Sequence, residues 1–187
     1  TWARYFFTVF FTLPIMIFFF KKQLVWSDKP KLQILRGIIL LSANICFFYA
    51  ISIISLAKAL TLDFVAPLIV TAFSPVMLGE KVGFRRWTAV VVGFTGSLVV
   101  ISPGFFELNF AHLAALGTGI LYGFYLIITR KLSTSDNPLL TLLMTGMVGA
   151  ILVSAIIPFY WVKPSLNQWS LMAGIGVFAC IGHLFLI

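Results

Sequence analysis

Charge is scarce in this chain. Of its 187 residues, 10% are Asp, Glu, Lys or Arg, whereas a soluble domain carries about 25%. Acidic residues number only five, and there are two histidines and two cysteines. So few ligating groups exclude a disulfide-built secreted module and leave no expected metal site. Cys46 and Cys180 both fall inside apolar stretches, where a thiol behaves as a small hydrophobe. The sequence also lacks HExxH, CxxC, G-x-S-x-G and GxxxxGK[ST], so no catalytic set, cofactor or ATP site is expected.

Apolar residues take the place of charge. They make up 61% of the chain, with 20 phenylalanines and a mean hydropathy of +1.09. A water-soluble globule of 20.8 kDa could not hide that much apolar surface in one core. The composition is that of an integral membrane protein. The net charge of +8 would suggest nucleic acid in a soluble protein. Here the basic residues sit in short gaps between apolar runs, so the expected partner is the lipid bilayer and not nucleic acid. The chain starts at Thr1 and stops at Ile187 within an apolar run, which reads as a fragment of a longer chain.

A bilayer core of about 30 Å takes about 20 apolar residues to span. Seven runs approach this: Trp2–Phe20, Ile34–Leu56, Leu62–Leu78, Trp87–Ile101, Phe110–Thr129, Pro138–Trp161 and Gln168–Ile187. The third and fourth are short and should extend into their flanks. All should be helices, because lipid offers backbone groups no other partner. The expected fold is all-α, a polytopic transmembrane bundle. Trp2, Trp87, Trp161 and Trp169 lie at the run ends, as an aromatic belt would.

Basic residues set the orientation. Lys21, Lys22, Lys29, Lys31, Arg36, Lys81, Arg85, Arg86, Arg130 and Lys131 fall on one side, against Arg4, Lys58 and Lys163 on the other. Loops 21–33, 79–86 and 130–137 are therefore expected to be cytoplasmic, in a multi-pass protein of the inner (plasma) membrane. Placing Gly37 on Gly174 overlays the first two runs on the last two, yet the paired runs cross in opposite senses. That inversion is an architecture of many secondary transporters. Ser102-Pro103-Gly104-Phe105-Phe106-Glu107 is the natural boundary, giving halves of 1–104 and 105–187.

Leu78-Gly79-Glu80-Lys81 closes the third run, followed by Arg86-Trp87 and Val92-Gly93-Phe94-Thr95-Gly96-Ser97. This order resembles the EamA repeat of the drug/metabolite transporter superfamily, with a proline-bearing fourth helix and a glycine-rich fifth. Arg4 resembles the arginine opening the family's second helix, and Pro67, Gly79 and Glu80 fall on its structural motif. Ile34-Leu35-Arg36-Gly37 resembles the S-adenosylmethionine-uptake subgroup. The resemblance implies two inverted five-helix repeats, with about seven of ten helices present here. The first half would lack its first helix, and the second would stop after its third.

Several residues invite a role in solute handling. Asn44, Phe48, Ser52 and Ser55 share a face of the second run by helical spacing, with Asn44 about 12 Å deep. His183 in the last run lies about 21 Å from the outer edge, and embedded polar groups of this kind need partners. Thr118, Tyr122, Tyr125 and Thr129 form one stripe that suits either an organic solute or interhelix hydrogen bonds. Beside it, Ala111, Ala115, Gly119 and Gly123 form a ridge for close helix approach, within the bundle or in a homodimer. Ala89-Gly93-Ser97 is a smaller ridge of the same kind. Pro67 and Pro75 free carbonyls that either border a pathway or mark a packed kink. Asp63 either pairs with Lys58 in solvent or carries a proton. Glu80 is expected in a turn beside Arg85 and Arg86.

These features point to a secondary transporter of a small organic metabolite, driven by a gradient or by exchange. The alternative is a polytopic interaction or sensor protein without transport activity. An intramembrane enzyme has no candidate residues.

Overall fold

The computed structural model describes residues 2–19, 27–101, 109–161 and 163–186, excepting the side chains at 19, 100, 101, 160 and 183–186. The described elements are α1 (Trp2–Phe19), α2 (Pro30–Ile51), α3 (Leu56–Asp63), α4 (Ala66–Leu78), α5 (Phe84–Ile101), α6 (Phe110–Leu132), α7 (Pro138–Ile156), a 3-10 turn (Ile157–Tyr160) and α8 (Leu166–Leu186). Within the described residues, the apolar runs are mostly helical, as lipid demands. The half boundary near residue 104 lies outside the described residues.

Local chemistry sets the ends. Pro30 takes the first helical position of α2, where a missing N–H costs nothing. This draws Lys31 and Gln33 into the helix rather than the preceding loop, and sets Arg36 further from the helix start than a run opening at Ile34 would. Pro138 opens α7 in the same way, with the Asn137 side chain accepting from Leu139 N at 2.9 Å. The fourth run extends back to Phe84, and Arg130 and Lys131 extend the fifth into a last turn that favours cations.

The third run is two helices. Ser55 leaves α2 and caps α3, accepting from Lys58 N at 3.4 Å; it does not share the Asn44 face. Phe64 and Val65 interrupt the path, and Pro67 lies in the first turn of α4. Taken together, Leu56–Leu78 is one of four segments among the described residues that are long and apolar enough to cross a membrane, with Pro30–Ile51, Phe110–Leu132 and Pro138–Phe159. Trp2–Phe18 and Leu166–Gly182 are shorter apolar helices.

The chain forms two compact units, Thr1–Ile38 with Leu132–Ile187, and Ile39–Lys131. In the first, α1 lies against α7 and α8. Gly149 gives way to the Tyr5 ring and Gly176 to Phe7, while a Cβ at Gly37 would lie 2.7 Å from that of Val148. Trp2 donates to Ser154 Oγ at 2.9 Å. Trp2, Trp161 and Trp169 gather at one end, with ring centroids 5.9 and 6.5 Å apart along the series. Cys180 is buried against Thr12, Sγ to Oγ1 3.4 Å.

In the second unit, Ala50, Ile54, Ala59, Leu62, Ala111 and Ala115 form a core joining α2, α3 and α6. The small-residue ridge of α6 is buried here. A Cβ at Gly119 would lie 2.7 Å from the Asp63 carbonyl oxygen, and one at Gly123 would lie 2.7 Å from Ile69 Cβ. The ridge on α5 differs from expectation: Gly93 meets nothing within 4 Å.

Candidate functional site

The broken span is the centre of the second unit. Phe64 N donates back to Leu60 and Thr61, and Val65 N to Leu62. Pro67 has no N–H, so it cannot be the donor that an unbroken helix would offer the Asp63 carbonyl. The Asp63 side chain is half-buried, and its Oδ1 is buried without a hydrogen-bond partner. No ion pair joins Asp63 to Lys58 among the described residues.

Facing this break, α6 presents the Gly119–Gly123 ridge, and its adjacent face carries the polar stripe. Thr118 Oγ1 donates to Ala114 O at 3.1 Å and reaches Ala43 O of α2 at 3.4 Å. Tyr122 is half-buried and stacks on Tyr125, centroids 5.5 Å apart. Tyr125 is fully buried, and Thr129 donates to its carbonyl at 2.7 Å. Asn44 is buried on α2 and donates to Leu40 O at 2.8 Å, while Phe48 is exposed, at 45%. Thus the stripe meets α2 at Ala43, the residue next to Asn44 in sequence. His183 belongs to the other unit, and its side chain lies outside the described residues.

At the far end of α4, Gly79 adopts a left-handed backbone, φ 71°, and its N–H closes onto Pro75 O at 3.1 Å. Glu80 follows. Its carboxylate meets Arg130 of α6 at 2.8 Å, rather than the nearer-in-sequence Arg85 or Arg86. Helix α6 ends beside this turn, whereas Arg85 and Arg86 are exposed on α5. Arg4 is half-buried on α1, its carbonyl accepting from Thr8 Oγ1 at 2.7 Å.

The first unit holds a buried polar seam that the sequence did not announce. Arg36 is fully buried and donates to Thr141 O at 3.0 Å and Thr145 Oγ1 at 2.7 Å. Gln33, also fully buried, donates through Nε2 to Asp136 Oδ2 at 2.7 Å and Thr141 Oγ1 at 3.1 Å. The Asp136 carboxylate further accepts from Ser27 Oγ. Such a seam fastens α2 to the head of α7 with bonds that water cannot easily replace. Its signal is the i, i+3 pair Gln33/Arg36 and the i, i+4 pair Thr141/Thr145, each on one helical face.

Apolar helices of spanning length around buried polar seams define a multi-pass α-helical membrane protein. The EamA-like transporter family model matches residues 1–102, and the chain belongs to that family. It is 27% identical over 173 residues to an S-adenosylmethionine uptake transporter of Rickettsia prowazekii, covering 92% of this chain and 58% of the relative. A riboflavin transporter of Vibrio cholerae is 26% identical over 127 residues, 67% of this chain and 43% of the relative. A pseudopaline exporter of Pseudomonas aeruginosa is 28% identical over 159 residues, 82% and 55% of the two chains. The chain spans about six-tenths of the length of the S-adenosylmethionine transporters that it matches.

Proposed function

We propose that the full-length protein is a secondary transporter that carries a small organic metabolite by alternating access, with no catalytic step. The observation that supports this most is the proline-marked break between α3 and α4, seated on the small-residue ridge of α6 beside that helix's polar and aromatic stripe. Discontinuous spans of this kind border solute sites in transporters built from repeats. The relatives are named for uptake and for export of different organic solutes. Asn44, Phe48, Thr118, Tyr122, Tyr125 and His183 are the candidate solute contacts. Residues 1–104 and 105–187 belong to two inverted repeats, and loops 21–33, 79–86 and 130–137 face the cytoplasm of a plasma-membrane protein.

The test is movement of labelled S-adenosylmethionine and riboflavin in right-side-out and everted vesicles carrying the full-length protein. One of them should cross in a saturable way. Asn44→Ala and Tyr122→Ala should each slow that movement about tenfold, the equivalent of ~1.4 kcal/mol, at normal abundance. Wild-type rates in both variants would make these residues packing contacts. No movement of any organic solute would favour the interaction or sensor alternative.

A further inference from the structure

We infer that Asp63 is a proton-binding site that couples proton movement to the transport proposed above. Three features converge on this residue. It lies seven residues into the span Leu56–Leu78, about 10 Å along its axis. Its Oδ1 is buried with no hydrogen-bond donor, and a carboxylate oxygen so placed is costly unless a proton or cation joins it. Its backbone carbonyl sits at the helix break, deprived of the Pro67 donor and turned toward Gly119, where a Cβ would come within 2.7 Å.

Among the described residues, no charged group is paired with Asp63. Helix α4 carries no ionisable side chain, and α5 has only Arg85 and Arg86, in its first turn. On α6, His112 is engaged with Asn109 Oδ1 at 2.9 Å, Tyr122 stacks on Tyr125, and Arg130 pairs with Glu80; Lys131 follows it in the last turn. On the part of α2 in this unit, the titratable groups are Cys46 and Tyr49. Lys58 shares α3 with Asp63 but forms no ion pair with it. Two oxygens from one residue are too few to replace the shell of a hard metal cation, which takes six or more. One proton satisfies a carboxylate alone.

Infrared difference spectra of the full-length protein in lipid, taken across a pH step, test the site without any solute. A protonated-carboxyl C=O band should appear on acidification, vanish in Asp63→Asn and return, shifted, in Asp63→Glu. Absence of the band from the wild type, or its persistence in Asp63→Asn, overturns the proposal. Reconstituted vesicles test the coupling, with labelled S-adenosylmethionine and riboflavin as probes. A gradient of one pH unit should drive about tenfold accumulation at one proton per solute. Asp63→Asn should abolish that accumulation and keep solute-for-solute counterflow. Accumulation that survives in Asp63→Asn, or that follows a sodium gradient instead, overturns the coupling. An intact Asp63-dependent band without movement of either solute would leave the proton site standing while the proposed transport of these solutes fails.

Discussion

Gln33 of α2 and Asp136 before α7 meet through a 2.7 Å hydrogen bond although 103 residues separate them. The same carboxylate receives Ser27 Oγ and, at 3.4 Å, Asp28 N. Asp136→Ala would strip two buried side-chain donors, Ser27 and Gln33, of this acceptor at once, at about 1–3 kcal/mol for each buried group left unsatisfied. Asp136→Asn keeps one acceptor oxygen and should cost less. Thermal melting of the purified variants in detergent measures this, and wild-type melting of Asp136→Ala would show the seam to be dispensable.

Gly119 and Gly93 should behave oppositely. A methyl at Gly119 meets Val65 Cγ1 at 2.6 Å and the Asp63 carbonyl at 2.7 Å, and backbone cannot swing aside as a side chain can. Gly119→Ala should therefore lose about 1–3 kcal/mol by overpacking. Gly93→Ala enters open space and should be neutral or slightly stabilising, since alanine favours helix. Equal melting temperatures for the two variants would contradict the close seat of α6.

The Glu80–Arg130 pair is half in water, with side chains 32% and 51% exposed. Its loss should cost no more than about 1 kcal/mol. In a double-mutant cycle, Glu80→Gln should couple to Arg130→Gln and not to Arg85→Gln or Arg86→Gln. Coupling to Arg86 in place of Arg130 would move the partner back to α5.

Orientation can be read by thiol labelling in a background without Cys46 and Cys180. Ser27 is a poor reporter because it is buried against Asp136, whereas Lys29 and Lys163 are exposed. The basic bias predicts that Lys29→Cys reacts only from the cytoplasm and Lys163→Cys only from outside. The reverse pattern would overturn the orientation, and labelling of both positions from one side would remove the ground for the inverted repeat.

The helices were legible because hydropathy reports burial in lipid directly. Pro67 marked a break in the third run, and the ridge Ala111, Ala115, Gly119, Gly123 marked a packing face before any contact was visible. The Gln33–Arg36–Asp136 seam was not legible. Charge patterning counts Arg36 among the cytoplasmic basic residues at the mouth of the second run, and the helix start at Pro30 sets it deeper, where it is buried. Its partners Thr141 and Thr145 are over a hundred residues away, and threonines within an apolar run read as filler. Glu80 misled for the same reason: local sequence offered Arg85 and Arg86, while the fold delivered Arg130.

The seat of α6 on the α3–α4 break also orders synthesis. Residues 56–78 leave the ribosome before residues 110–132, so the Asp63 carbonyl, deprived of its helical donor at Pro67, waits uncovered until Gly119 arrives. A nascent chain at that stage exposes broken backbone to lipid, where each unsatisfied group costs several kcal/mol. It should therefore linger at the insertion machinery. We expect a truncation after Ile101 to be degraded faster in pulse–chase labelling than one after Leu132, and equal half-lives would show that the early helices shelter themselves.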